Sequence, residues 1–300
     1  MTTLDDILDS PRTRRPMVMG IVNLTPDSFS DGGRFASPAA AVEEARRMID
    51  QGADVIDLGA ESTRPGSLRV GADEQIARLR DVLPAVTATG AAVSVDTTLA
   101  PVAAFATEHG AALINDISAG RDDPTMLPLA ASRRTGLVLM HMLGQPATMQ
   151  HAPHYDDVVA DVRAFLLERI AAARQAGVEA GRIILDPGIG FGKTAEHNLT
   201  LLANVAEFAK LGLPVLIGAS RKRFLGEVTA ATRHIHGMAT PCPADRVPGT
   251  IAAHVAAYLA GATIFRVHDV PSARASLDLA AAVRRQRENA GTRRCGEGQS

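Results

Sequence analysis

Three short apolar runs in this sequence end in side chains that accept hydrogen bonds. The side chains are Asp96, Asn115 and Asp186, each placed directly after a run of Val, Ile, Leu or Ala. If these ends meet in the fold, their oxygens form a cluster of acceptors in a deep site. A ring that presents an exocyclic amine and a ring N–H, such as an aminopyrimidinone, complements that cluster. Each charged hydrogen bond of this kind contributes about 1.5–3 kcal/mol.

Other roles are open for the same side chains. An Asp at a strand end often caps the helix that follows, and the pair Asp96 and Asp186 is also suited to ligating a catalytic metal. Asn115 is equally suited to binding backbone groups. The positions of the three residues in the fold decide between these roles.

A second set of residues is cationic or carries a hydroxyl. Arg266 and His268 follow the last apolar run two residues apart, so both side chains point to one side. Thr63 and Arg64 lie in a loop after the second run, and Lys222 follows the seventh. Arg grips phosphate oxygens in a bidentate manner, and barrels commonly bind phosphate at their last two loops. The set therefore predicts a phosphate-binding end of the site.

Asn23, after the first run, offers an oxygen to a Mg²⁺ ion that bridges a diphosphate. The alternative for Arg266 is a salt bridge to Asp269. The alternative for Lys222 is a solvated charge within the run 221–223.

The segment 186–194 is rich in glycine and resembles a phosphate-binding P-loop at its end. The position that the first glycine of a P-loop requires is occupied by Pro187, so the motif fails. We expect instead that this backbone approaches a flat ligand, with Phe191 as a lid.

These residues need elements that bring them together. Eight short apolar runs, rich in Val and Ile and without polar alternation, predict strands buried on both faces of a parallel sheet. They stop at or just before Asn23, Asp57, Asp96, Asn115, His141, Asp186, Ser220 and Arg266. Ala-rich segments such as 39–51 and 157–175 are long enough for helices between them. The alternation predicts a single-domain α/β protein, a (β/α)₈ TIM barrel with its active site at the carboxyl ends of the strands.

Helix starts and long loops refine this prediction. Ser37-Pro38 and Asp123-Pro124 each place a cap before a proline in the first helical turn. Three loops, at residues 24–37, 59–73 and 234–244, are longer than a strand–helix connection needs. The first two lie at the expected active rim, where such loops are typically lids.

Composition limits the class of protein. The chain has 300 residues, 46% of them hydrophobic, which suits one barrel over residues 16–288 between flexible tails at 1–15 and 289–300. We expect no signal peptide and no membrane helix, which needs roughly 20 apolar residues. The net charge of −2 argues against nucleic-acid binding, and the two cysteines form no metal or redox motif. We expect a cytoplasmic protein that binds small molecules.

Eight motifs, in this order, resemble those of the dihydropteroate synthase family, and the resemblance covers residues 17–270. They lie at 19–33 (MGIVNLTPDSFSDGG), 59–66 (GAESTRPG), 94–97 (SVDT), 114–118 (INDIS), 139–142 (LMHM), 186–193 (DPGIGFGK), 220–226 (SRKRFLG) and 266–270 (RVHDV). The stretch 233–247 looks longer than is usual in the family, and we assign it no role.

The resemblance implies the condensation of 6-hydroxymethyl-7,8-dihydropterin diphosphate with p-aminobenzoate, giving dihydropteroate and diphosphate, in folate biosynthesis. It implies that the pterin is held by Asp96, Asn115, Asp186 and Lys222. It implies that the diphosphate is held by Thr63, Arg266 and His268, and that Asn23 meets Mg²⁺. It also implies that the p-aminobenzoate pocket is shaped by Phe29, Pro65 and Ser220, and that Arg64 helps to close the loops. A homodimer is expected from the frequency of two-fold assemblies.

We expect the diphosphate to leave before the amine attacks. Asp96 and Asp186 would stabilise the cation left on the pterin, and Arg266, with Lys222, completes the expected catalytic group. The rival enzyme is a corrinoid-type pterin methyltransferase, which needs no diphosphate grip. A non-catalytic pterin-binding paralogue is the rival from another class.

Overall fold

The structure is a computed structural model that describes residues 2–24, 37–63, 66–235 and 242–296. In these residues eight parallel strands form one sheet. The strands are β1 Met17–Asn23, β2 Val55–Gly59, β3 Ala92–Asp96, β4 Leu113–Asp116, β5 Gly136–Met140, β6 Ile183–Asp186, β7 Leu216–Ile217 and β8 Ile264–Val267.

Helices lie between the strands and outside them. They are α1 Leu4–Leu8, α2 Ser10–Thr13, α3 Pro38–Asp50, α4 Ala72–Leu79, α5 Val82–Thr87, α6 Ala100–Glu108, α7 Met126–Arg133, α8 Val158–Gln175, α9 Ala195–Ala203, α10 Val205–Ala209, α11 Arg223–Ile235, α12 Val247–Leu259 and α13 Val270–Gly296, with short 3₁₀ turns at Ala180–Arg182 and Ala244–Arg246. Among the described residues, no helix is both long enough and apolar enough to cross a membrane.

The sheet closes on itself and confirms the predicted barrel. Its strand order is β6-β5-β4-β3-β2-β1-β8-β7, so the first strand pairs with the last, with Met17 opposite Ile264. A single bridge between Leu185 and Val215 completes the circle between β6 and β7. The seventh strand is shorter than the sequence predicts because only Leu216 and Ile217 pair with β8.

The lower half of the barrel interior is apolar. One buried cluster contains a residue from each strand, together with a residue from α1: Ile7, Met17, Met19, Val55, Ala92, Leu113, Val138, Ile184, Leu216 and Ile264. We call this cluster the floor of the barrel. Because strand side chains alternate between two faces, residues two or four positions further along each strand also point inward, above the floor.

The helix that follows the first loop shows how the outer layer is attached. Ser37 caps α3, as the sequence predicts, and its hydroxyl accepts a hydrogen bond from Ala40 N at 3.3 Å. Met48 on the buried stripe of α3 packs against β1 at Gly20, where a Cβ would lie 2.8 Å from its sulfur. Glycine at this position lets the helix approach the strand closely.

The predicted cap at Asp123 is displaced. Helix α7 begins at Met126, and Asp123 instead accepts hydrogen bonds from Thr125 N at 2.9 Å and Ala100 N at 2.8 Å. Its carboxylate therefore closes a turn before α7 and caps α6, the preceding helix, so that one side chain joins two helices.

The described parts of both predicted tails contain helices. Residues 4–13 form α1 and α2, and Ile7 is fully buried in the floor of the barrel. Ser10 Oγ donates to Thr263 Oγ1 at 2.9 Å, which ties α2 to the segment before β8. At the other end α13 continues to Gly296. Leu4, Ile7 and Leu8 recur at helical spacing and form the side of α1 that meets the floor, so the sequence carries a short signal for this helix but not for where it docks.

Candidate active site

The polar residues above the floor come from the same inward face of the strands. Asp57 lies two positions after Val55, Asn115 two after Leu113, and Arg266 two after Ile264. Asp186 follows Ile184 in the same way, and Asp96 lies four positions after Ala92. The alternation of a parallel barrel therefore places an apolar layer below and a charged layer above, at the carboxyl ends of the strands.

Arg266 lies at the centre of the charged layer. Its Nε donates to Asp57 Oδ2 at 2.6 Å and its Nη2 donates to Asp96 Oδ2 at 2.9 Å. Asn115 Nδ2 donates to the same Asp57 oxygen at 3.3 Å. Asp57 thus holds both an arginine and an amide of the predicted site, from a position that is fully buried.

Burial and charge alter the acidity of these groups in opposite directions. Burial raises the pKa of Asp96 to about 7, although the positive charge of Arg266 opposes the rise and Asp57 adds to it. Burial would lower the pKa of Arg266, but the carboxylates of Asp57 and Asp96 raise it above its ordinary value. The guanidinium therefore remains charged among carboxyl groups.

The sequence places Arg266 in a cationic end, apart from the acceptors, and the structure corrects this. Its guanidinium is paired with Asp57 and Asp96, which belong to the acceptor cluster. The alternative partner, Asp269, accepts instead from Ser272 N at 3.0 Å. Arg266 lies within β8, two residues before His268, and its side chain is on the inward face of the strand.

Asp57 is absent from the predicted site, although the sequence marks it as the end of an apolar run. It lies inside β2, which continues to Gly59, so it occupies a deeper level than Asp96. Its Oδ1 and the hydroxyl of Ser94, its register partner on β3, are buried without a hydrogen-bond partner among the described residues. Counting two residues back from Gly59 along the inward face would have found it.

Asp186 and Lys222 are two further groups of the charged layer, and the charge of each affects the pKa of the other. Asp186 Oδ1 accepts from Gly188 N at 2.7 Å, and burial raises the pKa of its carboxyl against the charges of Lys222, Lys193 and Arg266. Burial lowers the pKa of Lys222 to about 7, although Asp186 opposes the shift. The amine donates to the Ile189 carbonyl, so the solvated-charge alternative for Lys222 is wrong.

Phe191 lies beside this pair. Its ring packs against a small buried cluster, Ile117, Met140, Met142 and Met149. The Lys222 amine lies 4.2 Å from the centre of the ring. The loop that follows β6 therefore presents an aromatic face next to a cation and a carboxylate.

The remaining predicted residues lie around the rim. His268 Nδ1 lies 3.0 Å from Ser220 Oγ, which also accepts from the His268 backbone N–H at 3.2 Å. Thr63 lines a cavity of about 30 Å³ with Pro146, and Gly66 N donates to the Pro146 carbonyl at 3.3 Å. The second loop is thereby joined to the loop after β5.

Comparison with known proteins decides the family of this site. Residues 19–268 match the family described as "Pterin binding enzyme". The protein named dihydropteroate synthase of Synechocystis is 43% identical over 258 residues, covering 86% of this chain and 86% of its own length. The chain belongs to the dihydropteroate synthase family.

Other relatives of the family agree. The mitochondrial folate synthesis bifunctional protein of Pisum sativum is 44% identical over 92% of this chain, which spans only 55% of that longer protein. A structure of dihydropteroate synthase from Xanthomonas albilineans with 4-aminobenzoic acid is 45% identical, with a TM-score of 0.81 over 90% of this chain and 93% of that one. Another structure from that organism, in complex with 7,8-dihydropteroate, is 42% identical, with a TM-score of 0.78 over 90% and 94% of the two chains.

Three predicted residues of this family member lie outside the described residues. They are Phe29 in the first loop and Arg64 and Pro65 in the second. Most of the segment 234–244 also lies outside, so the length of that stretch stays without an assigned role.

Asn23 is the residue expected to meet Mg²⁺, and its surroundings fit a sparsely liganded ion. A Cβ on Gly59 would lie 3.3 Å from Asn23 Oδ1, so glycine leaves open space beside the amide oxygen. Within the described ranges, no group of three or more His, Cys, Asp or Glu side chains could hold a metal by itself. Mg²⁺ typically takes one or two protein oxygens together with substrate phosphate and water, which suits this arrangement.

Lys193 is a further residue that the predicted site omits. It is 3% exposed, and its Nζ lies 2.9 Å from His141 Nδ1 and 3.0 Å from the Phe191 carbonyl. The sequence marks Lys193 as the end of the motif 186–193 and of the failed P-loop, but assigns it no role. Its position before the capped helix α9 gave no indication that its amine turns back under the preceding loop.

Proposed function

We propose that this protein condenses 6-hydroxymethyl-7,8-dihydropterin diphosphate with p-aminobenzoate, forming 7,8-dihydropteroate and diphosphate in folate biosynthesis. The observation that carries the proposal is the ring of inward-facing acceptors, Asp96, Asn115 and Asp186, over an apolar floor. Membership of the dihydropteroate synthase family supports the same reaction.

The pterin ring would lie between the two carboxylates. Asp96 and Asp186 are each 6% exposed and Asn115 is 3% exposed, so ring donors bound there would be shielded from water. Desolvated donors and acceptors discriminate strongly against rings that lack the matching groups. Lys222 would contact the ring from the side on which it meets Phe191.

Departure of diphosphate leaves positive charge on the pterin methylene and ring. Asp96 and Asp186 would stabilise this charge through their preorganised positions. The aryl amine of p-aminobenzoate then attacks the cation and loses a proton. The fixed carboxylates favour a sequence in which the carbon–oxygen bond breaks before the carbon–nitrogen bond forms.

The leaving diphosphate would be held at the rim by Thr63, His268 and Arg266. The contacts of Arg266 to Asp57 and Asp96 use Nε and Nη2, so an anion would be bound through Nη1. When bound, Mg²⁺ would neutralise charge on the diphosphate oxygens, with Asn23 as its protein ligand. Arg266 would then link the pterin-binding carboxylate Asp96 to the diphosphate.

The p-aminobenzoate pocket would form at the rim from Ser220, Phe29 and Pro65, with Arg64 closing the loops. Ser220 is held by His268 at 3.0 Å, which couples this pocket to the diphosphate end. The bound 4-aminobenzoic acid of the Xanthomonas relative supports a pocket of this kind. We further propose a cytoplasmic homodimer that binds neither nucleic acid nor membrane.

The test is formation of dihydropteroate by the purified protein with both substrates and Mg²⁺, followed by chromatography. Asp96→Asn should abolish most of the product, whereas Asp278→Asn, at an exposed position on α13, should leave it unchanged. Pterin binding without product from the unmodified protein would favour the non-catalytic paralogue instead.

A further inference from the structure

The loop after β6, residues 187–193, is held by side chains at four consecutive carbonyls, three of them from other segments and one from Lys193 at its own end. The contacts are Lys222 Nζ to Ile189 O, Gln150 Nε2 to Gly190 O at 2.8 Å, Lys193 Nζ to Phe191 O at 3.0 Å and Tyr155 OH to Gly192 O at 2.8 Å. We call this segment the Gly-rich loop. A loop with every such carbonyl bound is far more restricted than its glycine content predicts.

Phe191 is the side chain that this loop presents to the site, and glycines flank it on both sides. Gly190 has φ of 83° and Gly192 has φ of 63°, conformations that glycine adopts at little cost. Backbone contacts to the loop therefore determine where the ring lies. The bond from Lys193 is made to the carbonyl of Phe191 itself.

The buried amine of Lys193 makes hydrogen-bond contacts, and none of the ion pairs among the described residues includes it. Its amine donates to the Phe191 carbonyl and lies 2.9 Å from His141 Nδ1, and burial lowers the pKa of His141 to about 2, so the imidazole beside it is neutral. Burying an amine is costly, and apolar replacements of buried charged groups are frequently tolerated. A positioning role accounts for this amine better than a contribution to stability.

We propose that Lys193, oriented by His141, is a positioning residue that fixes Phe191 beside Lys222 and thereby sets the affinity for the pterin ring. This inference deepens the proposed function and rests on it. The amine contacts no substrate. Its effect is to preorganise an aromatic surface that would otherwise lose conformational freedom when the ring binds.

The experiment measures both substrates in Lys193→Met, which keeps the length of the side chain and removes the donor. Loss of the hydrogen bond should raise the Kd for pterin diphosphate about tenfold and change the KM for p-aminobenzoate less than about twofold. Lys210→Met, at a 68% exposed lysine paired with Glu207, is the matched control and should change neither. Tyr155→Phe removes the neighbouring contact to Gly192 and should shift pterin affinity in the same direction.

A double-mutant cycle separates positioning from general structural damage. If Lys193 acts through Phe191, adding Lys193→Met to Phe191→Ala should produce no further loss of pterin affinity. Additive losses, equal effects on both substrates, or unchanged pterin binding in both Lys193→Met and Tyr155→Phe would overturn the proposal. Failure of the unmodified protein to make dihydropteroate would instead overturn the proposed function, so the two failures are distinguishable.

Discussion

Arg266 Nε donates to Asp57 Oδ2 at 2.6 Å, below the level at which a substrate would bind. Asp57 is fully buried, and its second oxygen has no hydrogen-bond partner in the part of the chain that the structure describes. Because Arg266 also binds Asp96, the deeper carboxylate determines where the arginine charge lies relative to the shallower one. Asp57 therefore positions the other groups of the charged layer from below and does not itself reach the surface where a substrate would bind.

Asp57→Asn should weaken both the fold and the reaction. The substitution keeps the shape but removes the charge that compensates buried Arg266, and breaking a buried pair costs about 3 kcal/mol in free energy of unfolding. We expect kcat/KM to fall at least about tenfold, since Arg266 would shift toward Asp96. Denaturant unfolding and steady-state kinetics measure the two effects.

The matched comparison for Asp57→Asn is an exposed ion pair. Glu227→Gln breaks the contact to Arg223, whose side chain is 86% exposed. Its effect on unfolding should stay within about 0.5 kcal/mol. Equal effects of the two substitutions would show that burial gives the Asp57 pair no special weight.

Asp186→Asn should weaken binding of the pterin, whereas Arg64→Ala should act mainly on turnover. An amide at position 186 still accepts from Gly188 N but presents a donor where the ring also presents one, a mismatch of about 1–3 kcal/mol. Calorimetry with a pterin that lacks diphosphate measures the change directly. Normal pterin affinity in this variant would mean that the carboxylate only supports the loop.

Removal of Mg²⁺ should abolish turnover and leave the binding of a bare pterin nearly intact. Asn23 is at the end of β1, and the pterin acceptors Asp186 and Asn115 lie on other strands. Calorimetry with and without chelator, using a pterin without diphosphate, is the measurement. A matching loss of pterin affinity in chelator contradicts separate sites for the ion and the ring.

The order of bond breaking can be measured without any variant. If diphosphate leaves first, isotope in its bridging oxygen should scramble in the absence of p-aminobenzoate, because the cation can recapture the anion. Ring-substituted p-aminobenzoates of graded basicity should give similar single-turnover rates. A steep dependence on basicity without scrambling points to direct displacement.

His254→Gln should make the protein less sensitive to acid. His254 Nε2 accepts from Ala219 N at 3.3 Å, and burial, with the charge of Lys222, lowers its pKa to about 3. The stability that the neutral ring contributes is complete above its unfolded pKa and is lost as pH falls from about 6.5 towards 3.

Between pH 7 and 5 the unmodified protein should therefore lose about 2 kcal/mol more free energy of unfolding than His254→Gln, since one proton costs about 1.4 kcal/mol per pH unit. The same substitution at His154, whose side chain is 85% exposed, is the control and should show no such difference. Parallel pH profiles for the unmodified protein and His254→Gln would show that His254 does not titrate on unfolding.

The barrel and most of the charged layer were predictable because strand runs and their polar ends are local signals. Asp96, Asn115 and Asp186 face inward as expected. The pairing of Arg266 was not predictable, because its partners Asp57 and Asp96 come from strands far away in sequence, and only the closed sheet brings them near.

Buried contacts of flexible side chains were harder still. Ile7 fills the floor from the short helix α1, and Lys193 bends back beneath the loop that precedes it. The spacing of Leu4, Ile7 and Leu8 predicts a short helix but not where it docks, and the contact of Lys193 leaves no periodic pattern. Each contact depends on the shape of a space that other elements create. Sequence patterns locate the strands, but the cavities that Ile7 and Lys193 fill exist only once the helices and loops have packed around the barrel.

The pairing of β1 with β8 also has a consequence for how the protein folds. Met17 finds Ile264 only when nearly all of the chain between them has been synthesised, so closure is the most non-local step of folding. Arg266 arrives with that last strand. The step that closes the sheet therefore also brings Asp57 and Asp96 the arginine with which both pair.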